Sequence, residues 1–247
     1  MVLSYLGIRR SVGGLALLLP VVLGPIGRFL FGIEIQENVS NYYHTPMRDV
    51  FVGVMCAIGL FMFCYRGASE FENWMGNVAC LAAVGVAWFP LDAHSDPMHQ
   101  SSVAGYLHTG FGGLFFLTLT VFSFYFFPKN EPEDKSRCWP LGRNAVFVVS
   151  GTALLISLLA MGVYLFLLEN SIRVQLTKLK FLFWMEWIAI WAFAIAWLVK
   201  GRTLLMIGEG LEIVKSFKQK KHRRGKPRKN RPAEYVAGPG ENNPTST

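Results

Sequence analysis

Charge is what this chain lacks. Only 16% of its 247 residues are Asp, Glu, Lys or Arg, where a soluble domain carries roughly 25%. So few charges cannot coat a globule of this length, which argues against an ordinary soluble enzyme. Cysteine is scarce too: Cys56, Cys64, Cys80 and Cys138 show no CxxC spacing, so neither a disulfide framework nor a structural zinc site is indicated. HExxH and HxxxH are absent, so no two histidines sit one helical turn apart. Apolar residues fill the space instead. They make up 52% of the chain, with 20 Phe and 7 Trp, and they recur in runs of about 20 residues, the length that crosses a hydrocarbon core.

These runs predict an all-α, polytopic transmembrane bundle of six helices, with spans near 12–33, 48–65, 73–90, 105–127, 144–168 and 181–199. Nothing like an Ala-x-Ala cleavage site follows the first run, so it is read as an uncleaved helix and not as a signal peptide. Residues 1–203 form the membrane domain, 204–231 an amphipathic and basic juxtamembrane tail, and 232–247 a disordered end.

The net charge of +8 belongs to the tail, because the ten Lys and Arg between Lys215 and Arg231 meet no acid. Counting Lys and Arg loop by loop puts nineteen on the side holding both termini and four on the other, or seven against four without the tail. Basic residues stay cytoplasmic, so both termini are expected inside. The tail, with Lys220, Lys221, Arg223 and Arg224 at its centre, suits anionic lipid. It has none of the interleaved aromatics that a nucleic-acid surface would need.

Nearly all remaining polar chemistry then falls on the other, extracytoplasmic side. Ser40, Tyr43, His44, Arg48 and Asp49 precede or open the second span, Asp92, His94, Asp96 and His99 fill the loop after the third, and His108 opens the fourth. Glu186 is the lone charge in the apolar FLFWMEWIAIWAF, and a buried charge in a span usually has a partner. Arg28, Arg48, His44 and His108 are the candidates. Ser40, Tyr43, His44, Arg48, Asp49, His108 and Glu186 are therefore the expected lining of an outward-facing polar pocket. His44, His94, His99 and His108 would suit a catalytic zinc by inventory, though not by spacing. Arg28 and Arg48 would suit a phospholipid headgroup. Thr45-Pro46 and Asp96-Pro97 also have a plain structural reading as helix starts.

The stretch VSNYYHTPMRDVFVGVMCAIGLFMFCYRG resembles the signature of a bacterial family of six-helix inner-membrane proteins of unknown function. NVACLAAVGVAWFP, GYLHTGFGGLFFLTL and FWMEWIAIWAFAIAWLVKG match later segments of the same family. The resemblance implies a multi-pass protein of the bacterial inner membrane and assigns no reaction. More distantly the layout is similar to Frag-type and DRAM-type membrane proteins. Ser40 and His44 also reproduce the Ser-x-x-x-His element of seven-helix ceramidase-type hydrolases, whose closing His-x-x-x-His this chain lacks. Three functional expectations follow: a pocket for a lipid headgroup or small polar ligand, a metal-dependent hydrolase of a lipid amide or ester, or an accessory subunit recruiting a partner through its tail.

Overall fold

The structure is a computed structural model that describes residues 2–93, 100–129 and 143–201. The chain divides into two units, Met1–Met206 and Ile207–Thr247, and the described residues all belong to the first. The basic tail, His94, Asp96, Pro97 and His99 lie outside them, as do Lys220, Lys221, Arg223 and Arg224.

Every regular element among the described residues is helical. Helix α1 runs Val2–Val21, continues through a π turn at Val22–Ile26 and closes at Gly27–Phe31. Pro25 has no N–H to donate, and the wider π turn around it carries the helix past the gap without ending it. Gly32 ends it in the left-handed conformation at φ 67°, where a side chain would be strained. A 3-10 turn follows at Ser40–His44. Then come α2 (Arg48–Cys64), α3 (Glu70–Trp88), α4 (Val103–Val121, extended by a π turn at Phe122–Phe126 and by Phe127–Lys129), α5 (Arg143–Phe166), the short α6 (Asn170–Lys178) and α7 (Phe181–Lys200).

Among the described residues four stretches are long and apolar enough to cross a membrane: Leu6–Phe31, Val103–Lys129, Arg143–Phe166 and Phe181–Lys200. Helix α2 has only 17 residues, and α3 carries Glu70, Glu72, Asn73 and Asn77 in its first half. The six long helices pack as a ring: α1 against α2, α2 against α3, α3 against α4, α4 against α5, α5 against α7, and α7 back on α1. One end of the ring, called upper below, holds the 3-10 turn and the loop after α3. The lower end holds Arg9, Tyr65 and Lys200.

Small residues set the closeness of these crossings. A Cβ on Gly76 would lie 3.0 Å from the Met62 carbonyl, and one on Gly13 would lie 2.7 Å from Leu198. Where lipid replaces water, such close backbone approach is what drives helix association. Phe29, Leu60, Leu81, Leu117 and Leu159 point outward and are more than half exposed. Apolar surface on this scale suits a hydrocarbon solvent and would aggregate a protein in water.

The lower end is sealed. Tyr65, Phe122, Phe126, Phe127, Phe147, Phe193 and Trp197 are buried and meet in edge-to-face and tilted ring contacts. The buried Lys200 ammonium donates to the Phe127 carbonyl at 3.1 Å and lies over the Phe127 and Phe147 rings. Buried Glu72 accepts the Tyr65 hydroxyl at 2.5 Å and the Ala68 N–H at 2.9 Å, while the Ser69 side chain caps α3 by accepting from Glu72 N–H. The Arg9 guanidinium donates to the Tyr65 oxygen at 3.4 Å. Polar chemistry here is spent on closing the bundle.

Candidate functional site

At the upper end the chain binds itself together through backbone groups. Thr45 does not cap α2 as its pairing with Pro46 suggests. Met47 occupies the cap position, and the Thr45 hydroxyl accepts Met47 N–H at 3.1 Å while donating to the Tyr42 carbonyl at 2.8 Å. The threonine therefore closes the 3-10 turn, and the helix starts at Arg48 because the turn uses Thr45 and Pro46 first. Asp49 lies in the first turn of α2, facing the positive end of its dipole.

Both described histidines hold one strap, residues 89–92. His44 donates from Nε2 to the Leu91 carbonyl at 2.7 Å, and His108 donates from Nδ1 to the Phe89 carbonyl at 2.6 Å. A carbonyl can only accept, so these nitrogens carry the protons. Asp92 completes the strap. Its carboxylate accepts the N–H groups of Ser101 and Ser102 at 2.6 and 2.9 Å, and both serine hydroxyls. Those four donors hold the Asp92 pKa at about 2, below the usual 3.8, the Ser102 hydroxyl contributing most. Ser102 in turn caps α4 by accepting Gly105 N–H at 3.0 Å.

The loop after α1 is pinned to α7. Phe183 N–H donates to the Glu37 carbonyl at 3.0 Å, and Val39 N–H donates to Glu186 Oε2 at 2.6 Å. The partner of Glu186 is thus a backbone amide. Of the basic candidates, Arg48 lies on the Tyr43 ring at 4.6 Å and donates to its hydroxyl at 3.1 Å, and Arg28 is exposed on the last turn of α1.

The expected pocket separates into two places. Ser40, His108 and Glu186 line an internal cavity of about 250 Å³. Tyr43, Arg48 and Asp49 line a different, open groove of about 320 Å³ between α2 and α3, beside Trp88. His44 belongs to neither lining, because its ring is turned onto Leu91. The internal cavity also departs from the polar pocket expected. Its walls are Ala16, Phe51, Met55, Ile58, Phe115, Leu119, Met161 and Phe193, and polar side chains enter only at the upper end, from Asn38, Ser40, Thr109, His108 and Glu186. Asn38 went unflagged in the sequence. It is buried, and its Oδ1 accepts Asn41 N–H at 2.7 Å. Only its place two residues before Ser40 hinted at it.

The Ser40 and Thr109 hydroxyl oxygens can accept from an occupant, and so can one further atom each on Glu186 and His108. Glu186 uses Oε2 on Val39, which leaves Oε1; His108 uses Nδ1, which leaves Nε2, an acceptor in the neutral ring. Among the described residues no three His, Cys, Asp or Glu side chains are grouped to hold a metal ion. Of the zinc candidates only His44 and His108 fall in that set, each with one ring nitrogen on a carbonyl. No protein-family model, curated protein or solved structure matches this chain.

Proposed function

We propose that this chain is a six-span protein of the bacterial inner membrane, both termini cytoplasmic, that holds an amphiphilic molecule in its internal cavity. One observation carries the reading: the cavity is apolar along its walls and polar only at the end where Ser40, His108 and Glu186 meet. Such a shape fits a molecule with a greasy body and a hydrogen-bonding head.

The exposed aromatics support the span count. Trp88, Tyr106 and Trp184 lie near the upper end, Trp74 and Tyr125 near the lower, all at least 46% exposed. Along α4, Tyr106 and Tyr125 are about 28 Å apart at 1.5 Å per residue, close to the ~30 Å of a hydrocarbon core. Trp74 and Trp88 lie toward the two ends of α3 and only about 21 Å apart, but the whole helix, at 19 residues, is about 28 Å long, which favours α3, and with it α2, as spans. Aromatic belts of this kind mark both membrane interfaces. The basic tail fits the cytoplasmic side and contact with anionic lipid there.

Ala16 tests the proposal from the wall formed by α1. It is buried and lines the cavity, so Ala16→Leu fills space that an occupant needs. Protein purified in mild detergent is extracted with solvent and its amphiphiles are counted by mass spectrometry. About one equivalent is expected in the wild type and several-fold less in the variant. Only mixed phospholipid, equal in amount in both proteins, would refute the cavity as a binding site.

A further inference from the structure

The cavity has a mouth, and its position follows from helix register. Helices α4 and α5 are antiparallel neighbours that touch closely near the lower end, where a Cβ on Gly151 would meet the Phe124 ring at 3.0 Å. Eleven residues further up each helix, at one level, stand Gly113 and Gly162. A Cβ on either would meet nothing within 4 Å, so neither glycine is there to let helices touch. Both line the cavity, as do Thr109, Gly112 and Phe116 on α4 and Leu158, Leu165 and Phe166 on α5. Within each helix these recur at the three- and four-residue spacing of a single face. Of all the lining residues, only Gly113 and Phe166 are classed as exposed, one on each side of the gap. The two helices are therefore close below and wider apart above, where Phe116 packs against Met161, Tyr164 and Leu182, and this wider stretch lies inside two segments apolar enough to cross a membrane.

We infer, building on the binding reading above, that the cavity is loaded sideways from the bilayer through this slot between α4 and α5, and that its occupant is a single-chain lipid with a hydroxyl or ammonium head. Cavity size supports the threading. About 250 Å³ is below the ~300–1,000 Å³ of common ligand pockets, so a long chain leaves part of its length in the slot. Polar geometry supports the head. Glu186 Oε1 and His108 Nε2 are acceptor atoms on side chains that line the polar end of the cavity, so a hydroxyl or ammonium finds a partner there. Glu186 lies five residues into α7 and His108 five residues above Gly113, about 7–8 Å along each helix. The head thus rests near the upper interface, and the chain runs down toward the slot.

The probe is deuterated monopalmitoylglycerol in phosphatidylethanolamine–phosphatidylglycerol vesicles, with exchange against unlabelled lipid followed by mass spectrometry. The double variant Gly113→Leu/Gly162→Leu narrows the slot where there is room for the new side chains. It should slow release of bound probe at least tenfold, whereas lost cavity volume by itself weakens binding and so speeds release. Gly110→Leu is the control, since Gly110 is exposed, has open space around it and is not part of the lining; its exchange rate should match the wild type. Bound probe with unchanged exchange in the double variant overturns the slot and leaves cavity binding standing, and so does equal slowing by Gly110→Leu. A wild type that binds no amphiphile of any kind overturns both readings. Diacyl phosphatidylglycerol displacing the probe as well as unlabelled monopalmitoylglycerol does overturns the single-chain assignment.

Discussion

At the scale of single residues, polar side chains in this bundle are mostly fastened to backbone. Asp92 is the clearest case for a pH test. Its folded pKa of about 2 lies below the ordinary 3.8, so its contribution is fully present above about pH 4 and is lost as pH falls toward 2. The thermal midpoint of Asp92→Asn should lie below that of the wild type at pH 7, and the difference should shrink toward zero near pH 2. Glu72 makes a second case. Glu72→Ala leaves the buried Tyr65 hydroxyl and the Ala68 N–H without the carboxylate they now bond. Removing the acceptor of the buried Tyr65 hydroxyl costs about 1–3 kcal/mol, and denaturant titration should show a loss in that range. Gln at position 72 keeps an acceptor and should recover part of it.

At the scale of elements, the ring depends on helices lying close enough to exclude bulky side chains. Gly76→Val would push α3 off α2, because its Cβ meets a backbone carbonyl and not a flexible side chain. Overpacking of this kind costs about 1–3 kcal/mol, and thermal unfolding in detergent should register it. Gly110→Val, on a surface with open space, should change stability far less. The helices themselves were legible because a run of some 20 apolar residues has few other fates. The start of α2 was less so: Thr45-Pro46 is a good helix opener locally, but the preceding 3-10 turn claims both residues. Helix α6 falls between the predicted spans, because NSIRVQLTK is short and polar and buries none of its residues. Nor does anything in FSFYF announce the π turn at Phe122–Phe126.

At the scale of the whole molecule, the bundle is shut at one end by aromatic rings and open at its flank, so the described part resembles a pouch more than a channel. The sequence placed the polar residues at one end but could not sort them. Ser40, His108 and Glu186 face inward while Tyr43, Arg48 and Asp49 face the groove outside, and that division depends on how the 3-10 turn orients neighbouring side chains. Nor could apolar periodicity reveal a cavity, since wall residues and core residues have the same composition. Glu72 and Lys200 were likewise hidden, because an acid in a first turn and a base in a last turn look like ordinary helix ends. The central claim is that an amphiphile occupies the cavity. Photo-crosslinking with a palmitoyl probe bearing a diazirine on its chain tests it most directly. With an amphiphile in the cavity, adducts concentrate on Met55, Phe115 and Phe193, inside the bundle; adducts confined to Leu60, Trp74 and Leu81, on the outer surface, would show that it is not there.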